Sequence, residues 1–272
     1  MSAAKLKNIV ILALLLVNLF LLAIIIPTRL ADLRGRKQAN DALSQLYRQA
    51  DVTLLPDAIP ADRQLYPADL SPDHDAALDA VGALLGPQVL SQQTERGTRF
   101  SSSLGTADLS DDGIFAAAVT FEKTEDPEAH ARTLLENMGI SHTGLRRETS
   151  IGSVRTYSAV PTVGGVPVVT DSLHLRYEDG ALTQITGLLL TRGTPAVSSS
   201  ERGLSPQDAL VAFLGSRIST GWMGSSVSTV TQGYALTPDK TQGVFHLQPV
   251  FHIVTDAGSY LVDGLSGAVT PT

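Results

Sequence analysis

Cysteine is absent from this chain of 272 residues, and aromatic residues make up only 5% of it. The absence of cysteine excludes disulfides, cysteine-ligated zinc, iron–sulfur clusters and thiol catalysis. Basic residues are also few, since 20 Lys and Arg stand against 27 Asp and Glu, which gives a net charge of −7. This balance argues against a nucleic-acid binder, because such proteins normally carry a basic face. A hydrophobic share of 43% excludes a globally disordered chain.

Catalytic motifs are missing as well. The sequence contains no G-x-S-x-G elbow, no H-E-x-x-H helix and no G-x-x-x-x-G-K-[ST] phosphate loop. The acidic pairs Asp111-Asp112, before Gly113, and Glu178-Asp179, before Gly180, are typical of turns. Asp73 and Asp75 suit the N-terminus of a helix. We therefore expect no enzyme, no catalytic residue and no cofactor.

The histidines are the remaining candidates for chemistry. His246 and His252 lie six residues apart on one predicted strand and could share a face. Pro249 lies between them and is expected to bend or bulge that strand. A metal site also needs a third ligand, which the neighbouring sequence does not supply. We therefore expect no metal site.

A long apolar run occupies residues 9–26, carries no charge and is interrupted only by Asn18. At about 1.5 Å per residue it spans roughly 27 Å, which is close to the thickness of the bilayer's hydrocarbon core. A cleaved signal peptide is the alternative, but its apolar region is shorter and ends in small residues, whereas this run ends in Ile26-Pro27-Thr28. The sequence therefore favours an uncleaved transmembrane anchor embedded in the lipid bilayer.

The orientation of this anchor is not decided by charge, because basic residues lie on both sides of it. A single N-terminal anchor before a long acidic body predicts that residues 1–8 are a cytoplasmic tail and that the body is extracytoplasmic. Asn18 could hydrogen-bond a partner helix or could be a tolerated polar residue without a partner. The candidate partner-binding face of the segment is Leu14, Asn18, Leu21 and Leu22.

Residues 28–69 are predicted to form a juxtamembrane helix and an extended connector. Apolar residues recur at helical spacing from Leu30 to Tyr47. This helix is either a stalk or a partner-binding element, and the sequence favours the stalk. Residues 51–69 contain three prolines and are typical of an extended connector.

The body repeats a helix followed by strands. Helix starts are predicted at Ser71-Pro72-Asp73, Asp126-Pro127-Glu128 and Ser205-Pro206-Gln207-Asp208. Short strands separated by Gly-containing turns follow each helix, and Asp179-Gly180 is a strong hairpin signal. We expect an α+β fold: an N-terminal transmembrane helix followed by repeated units of one helix packed on an antiparallel sheet, as in PepSY and cystatin folds. The predicted boundaries are a first α+β domain at 70–192 with two such units, a linker at 193–203 and a C-terminal PepSY-like unit at 204–272.

Two stretches of the body resemble PepSY-type and propeptide-type inhibitory modules. Residues 154–190 show a strand, Gly164-Gly165, a strand, Asp-Gly and a returning strand. Residues 204–269 open with Leu-Ser-Pro and close with Ser-Gly-Ala-Val. Together with the sequence at 5–22, this layout resembles the YycI/YycH regulatory proteins of the Gram-positive cell-wall (WalK-type) two-component system.

The YycI/YycH resemblance implies a non-catalytic membrane protein that takes part in signal transduction. Its partners would be a sensor histidine kinase, contacted through the transmembrane helix and the ectodomain, and a sister YycH-like regulator. The alternative function is a PepSY-like inhibitor or chaperone of an extracytoplasmic protease. Such a protein would bind through strand edges or through the hairpin at Gly164 and Gly165.

Overall fold

The computed structural model describes residue 35 and residues 37–191, 193–239 and 244–272. The helices are α1 (residues 37–49), α2 (His74–Leu85), α3 (Pro127–Asn137), α4 (Pro206–Gly215) and the short α5 (Arg217–Thr220), with a 3-10 turn at Pro56–Ala58. The strands are β1 (Thr53–Leu54), β2 (Ala68–Leu70), β3 (Leu90–Thr94), β4 (Gly97–Ser102), β5 (Gly105–Ser110), β6 (Ile114–Val119), β7 (His142–Ile151), β8 (Val154–Val163), β9 (Val166–Pro167), β10 (Leu173–Glu178), β11 (Ala181–Leu188), β12 (Ala196–Val197), β13 (Ser226–Asp239), β14 (Val244–Thr255), β15 (Gly258–Asp263) and β16 (Val269–Pro271).

The larger sheet has nine strands and is antiparallel. Its order is β3-β4-β5-β6-β11-β10-β8-β7, and β9 pairs with β8. The strands that follow α2 and those that follow α3 meet where β6 pairs with β11. The turn between β10 and β11 is made by Asp179 and Gly180, whose φ angles are 51° and 84°. Two consecutive positive φ angles match the right-handed twist of a hairpin, so the Asp-Gly prediction is confirmed.

One face of the nine-stranded sheet is covered by α2 and α3. Side chains alternate in and out along β6, where Phe115, Ala117 and Val119 are buried and Ala116 and Ala118 are exposed. The inward-facing side chains form one apolar cluster with the helices, including Leu84, Leu135, Phe100, Tyr157 and Tyr177. The opposite face carries small and polar side chains and is not covered by a helix of the described chain.

The helix starts follow the predicted capping chemistry with one shift. Asp126 accepts hydrogen bonds from two backbone N–H groups at the start of α3, and Ser205 accepts one at the start of α4. In α2, however, the cap is Asp73, which accepts from the N–H of Ala76 at 3.0 Å. The helix therefore begins three residues after Ser71, because the Asp73 carboxylate satisfies the free N–H groups.

The second sheet has seven strands, and residues far apart in sequence contribute to it. Its main path is β1-β13-β14-β15-β16, and β2 joins β14 and β12. Residues 53–54 and 68–70, from the predicted juxtamembrane region, thus pair with C-terminal strands. β12, within the predicted linker, pairs with β2.

Helices α1 and α4 pack on the seven-stranded sheet. Their cluster contains Leu43 and Tyr47 from α1, Leu210 and Phe213 from α4, and the buried Trp222. The ring centroids of Phe213 and Trp222 are 4.7 Å apart. A third apolar cluster, with Leu188, Tyr234 and Phe245, packs between strands of the two sheets. The two sheets are thus held together by apolar packing.

The predicted fold class is wrong. Strands provide most of the regular structure, and they form two large sheets instead of a series of units with one helix per sheet. The physical reason is that β6 and β11 hydrogen-bond to each other, so one continuous sheet carries both α2 and α3. The predicted transmembrane helix at 9–26 lies outside the described residues. Among the helices within them, none is long and apolar enough to cross a membrane.

Pro249 does not interrupt β14, contrary to the sequence expectation. The register between β13 and β14 runs without irregularity through the pair Tyr234 and Pro249. The carbonyl of Pro249 accepts from Gly264 N at 2.7 Å, on the side where the partner of β14 changes from β2 to β15. Pro249 therefore lies between the stretch of β14 that pairs with β2 and the stretch that pairs with β15. Its missing N–H costs no hydrogen bond between strands at this point.

Candidate functional site

A cleft lies where α2, the turn between β5 and β6, and β14 of the other sheet come together. Its volume is about 810 Å³, which is in the range of ligand-binding pockets. Leu109, Leu189 and Phe245 form apolar parts of its wall. Because both sheets contribute, an occupant of this cleft would contact both halves of the molecule.

The charged side chains of this cleft are mostly acidic: Asp73, Glu95, Asp111 and Asp112 stand against Arg96, with His74 also in the wall. Two of the acids have structural roles, since Asp73 caps α2 and Asp112 accepts a short hydrogen bond from the hydroxyl of Ser110. The net negative charge of the wall favours an occupant with cationic groups.

The floor of the cleft is closely packed. Gly113 has φ +78°, and a Cβ at this position would lie 2.9 Å from Cζ of Phe245. The carbonyl of Gly113 accepts from Leu189 N at 3.0 Å. Glycine suits both the positive φ and this close approach, and the contact shows that the two sheets lie close together at this point.

The hairpin at Gly164 and Gly165 contacts the chain's own N-terminal segment. Arg63 donates through Nη1 to the carbonyl of Gly165 at 2.9 Å. Gln232 accepts from the backbone N–H of Arg63 at 3.0 Å and donates to its carbonyl at 2.8 Å. Gly164 also lines a smaller cavity of about 350 Å³ together with Asp73 and Thr191. Both glycines are exposed, and the role of this hairpin in binding a partner stays a prediction.

His246 is held between two carboxylates that sequence analysis missed. Its Nδ1 lies 2.6 Å from Oδ1 of Asp69, and its Nε2 lies 3.4 Å from Oδ2 of Asp239. Asp69 reaches this place because β2 pairs with β14 in a register that opposes Asp69 to His246. His252 shares the strand but is half-buried, and burial lowers its pKa. Within the described part of the chain, no group of three His, Asp or Glu residues is arranged to hold a metal ion.

Asp69→Asn is expected to lower the pKa of His246. The hydrogen bond that His246 donates to the carboxylate of Asp69, assisted by Asp239, raises this pKa above its ordinary value. A raised folded-state pKa means that the stabilisation is complete below the unfolded pKa of about 6.5 and is lost as the pH rises through the folded value. An NMR titration of the histidine ring protons measures this shift, with Asp75→Asn as the control that should leave His246 unchanged. An unchanged His246 pKa in Asp69→Asn would contradict the ion pair.

Helix α1 is firmly attached to the body. The hydroxyl of the buried Tyr47 donates to the carbonyl of Leu210 at 2.8 Å, and burial raises the pKa of this phenol. Gln207 donates through Nε2 to Oδ1 of Asn40 at 2.8 Å. Arg217 donates to the carbonyl of Ala50, just beyond the end of the helix, at 2.7 Å. Residues 40–50 are therefore packed on the body through one face and do not form a free stalk.

The predicted partner-binding face of Leu14, Asn18, Leu21 and Leu22 lies outside the described residues. Of the side chains that attach α1 to the body, the sequence had indicated only the apolar stripe that contains Leu43 and Tyr47. Asn40 and Gln207 are 167 residues apart, and nothing in the local sequence of either predicts their contact.

Comparison with known proteins gives a likeness in fold alone. No protein-family model matches this chain, and no curated protein matches it. A solved structure of an uncharacterized protein from Eubacterium rectale has a TM-score of 0.50 and 12% identity, over 77% of this chain and 86% of its own. The Bacillus megaterium YpeB C-terminal domain has a TM-score of 0.39 and 9% identity, over 74% of this chain and 98% of its own. At that score the second similarity does not establish a shared fold.

Proposed function

We propose that this chain is a membrane-anchored, non-catalytic regulator whose extracytoplasmic body binds and modulates another protein. The anchor is the apolar segment 9–26. The specific partner we propose, on the sequence resemblance to YycI/YycH proteins, is a sensor histidine kinase, together with a sister regulator. In the same resemblance, residues 204–269 are a PepSY-like unit.

The observation that carries this proposal is the attachment of α1 to the seven-stranded sheet. A segment that served only as a tether would not need to pack on the body. Here α1 is fixed to the body by three hydrogen bonds. Tyr47 of α1 donates to α4, Gln207 of α4 donates to α1, and Arg217 of α5 donates to the carbonyl that follows α1. A partner that shifts the body would therefore also shift α1, and we propose that this shift is passed on to segment 9–26.

Exchange of the anchor tests the mechanism. Residues 9–26 are replaced with an unrelated apolar segment of equal length, and co-purification of the sensor kinase and its signalling output are measured in cells. We expect weaker co-purification and a loss of regulation, because the proposed face at Leu14, Asn18, Leu21 and Leu22 is removed. Unchanged kinase binding and signalling would overturn the intramembrane part of the proposal.

A flexible insertion tests the coupling separately. The four residues Gly-Ser-Gly-Ser are inserted after residue 30, which leaves the sequences of the apolar segment and of α1 unchanged. The matched control is the same insertion after Gly152, in the exposed turn between β7 and β8. We expect the first insertion to abolish regulation while kinase binding persists, and the control to retain both. Full regulation with the first insertion would show that α1 transmits nothing.

A further inference from the structure

Strand β3 forms one outer edge of the nine-stranded sheet. It pairs with β4 over five residues from Leu90 to Thr94 in a regular antiparallel register. All five side chains are exposed, and Leu90 is 75% exposed. The strand order of the sheet ends at β3, so the backbone groups on its outer side face away from the sheet.

The edges at β7, β1, β12 and β16 carry features that hinder strand pairing. β7 has two register irregularities and the charged residues Arg146, Arg147 and Glu148. In the seven-stranded sheet, β1, β12 and β16 have only two or three residues, and β16 contains Pro271. Bulges, charge, proline and short length are the usual means by which proteins protect their edges. β3 has no charge, proline or irregularity, and so it is an open template for another strand.

We propose that β3 pairs antiparallel with β3 of a second copy of this chain, which joins the two nine-stranded sheets. A two-fold axis at Gln92 places Leu90 opposite Thr94 and Ser91 opposite Gln93 of the other copy, so no charged residue meets a like charge. The two Gln92 amides can donate to and accept from each other across the axis. Arg99, the neighbour of Gln92 on β4, is neutralised by Asp108 at 2.7 Å. A two-fold axis at the middle of β7 would instead bring the Arg147 side chains of the two copies together.

The contact is small, because five residues of one strand bury far less than the roughly 1,000 Å² of a stable interface. It therefore forms where copies are held close together. On the proposed function, copies anchored in one membrane reach a high local concentration. The contacts of the dimer involve only β3, and the local concentration in the membrane sets the fraction of chains that are paired.

Single cysteines test the proposal, because the chain contains none of its own. Gln92→Cys is introduced into the full chain in phosphatidylcholine vesicles and is oxidised at increasing protein density. Directly opposed antiparallel residues have Cα atoms about 4.5–5.5 Å apart, a distance that a disulfide can bridge. We expect Gln92→Cys to give at least five times more disulfide-linked dimer than Ser150→Cys, an exposed position of β7 that leaves Arg146 and Arg147 in place. Equal yields from the two positions would overturn the proposal.

The second test adds a positive charge to β3. The amount of dimer in vesicles is then measured with a cross-linking reagent that does not react with amines. Gln92→Lys places two like charges opposite each other at the axis, whereas Gln93→Lys faces Ser91 and serves as the matched control. We expect at least a tenfold loss of dimer in Gln92→Lys and little change in Gln93→Lys. Equal dimer in Gln92→Lys and in the unmodified chain would contradict pairing at this edge.

Two further measurements distinguish a failure of β3 pairing from a failure of the proposed membrane anchor. Asn18→Leu should leave the Gln92→Cys cross-link unchanged, since a loss would assign the association to segment 9–26 and would overturn the β3 contact. Flotation of the vesicles reports whether the chain is anchored at all. A chain that does not float contradicts the anchor, and β3 pairing is then judged from cross-linking at equal concentration in solution.

Discussion

Tyr47→Ala is expected to lower the free energy of unfolding by about 3–5 kcal/mol, as for other buried aromatic residues truncated to alanine. The Tyr47 side chain is fully buried in the cluster beneath α1, so its removal leaves a cavity between α1, α4 and the sheet. Tyr47→Phe retains the ring and loses only the hydrogen bond to Leu210, which is worth about 1 kcal/mol. Denaturant unfolding of the full chain in detergent measures both changes.

The control for Tyr47 is its neighbour Leu46, which lies on the outer side of the same helix and is 40% exposed. Leu46→Ala should cost much less than Tyr47→Ala, because the site opens to solvent and no enclosed cavity forms. Equal losses for the two variants would mean that α1 is not packed on the body. The proposed coupling between the body and segment 9–26 would then lose its structural basis.

Gly187→Ala has the second large expected effect. Gly187 lies in β11, the strand between β6 and β10, and has φ +126°. A Cβ at this position would lie 2.0 Å from the carbonyl oxygen of Ser172 and 3.0 Å from Cα of Leu173. Neither backbone atom can move without disturbing the pairing of β10 with β11. Strain and overlap together should cost about 3 kcal/mol or more.

Gly164→Ala is the matched control for this substitution. Gly164 also has a positive φ, of +58°, but a Cβ there would meet no heavy atom within 4 Å. The cost should then be only that of a left-handed alanine, about 1–2 kcal/mol. Thermal unfolding of both variants measures the difference. Similar losses at the two positions would show that the close approach to Ser172 does not restrict Gly187.

The sequence predicted best what depends on neighbouring residues. Asp126 and Ser205 cap helices, and Asp179-Gly180 makes a hairpin, because capping and turn formation are decided within a few residues. The pairing of β6 with β11, and of β2 with β14, could not be predicted in this way. Such pairings depend on which strand edges meet after the chain has collapsed, and a proline-rich connector gives no sign that it will supply a strand.

The candidate site shows the same limit. His246 was recognised as a titratable residue on a strand, but its partner Asp69 is 177 residues away. The cleft at Phe245 is formed by the approach of two sheets, so no contiguous motif describes it. The turn at Asp111-Asp112-Gly113 was predicted as a turn, and only the structure shows that it packs against Phe245.

The pairing of early residues with late strands has a consequence for synthesis of the chain. β1 pairs with Ser226 and Val227, and β2 pairs with Phe245, His246 and Leu247. A ribosome makes these partners much later than β1 and β2, so α1, β1 and β2 emerge long before the strands on which they pack. Leu43 and Tyr47 therefore lack part of their packing surface until those late strands have been made. During that interval these apolar side chains are open to contacts with other chains, so early binding by a chaperone would protect the nascent protein from aggregation.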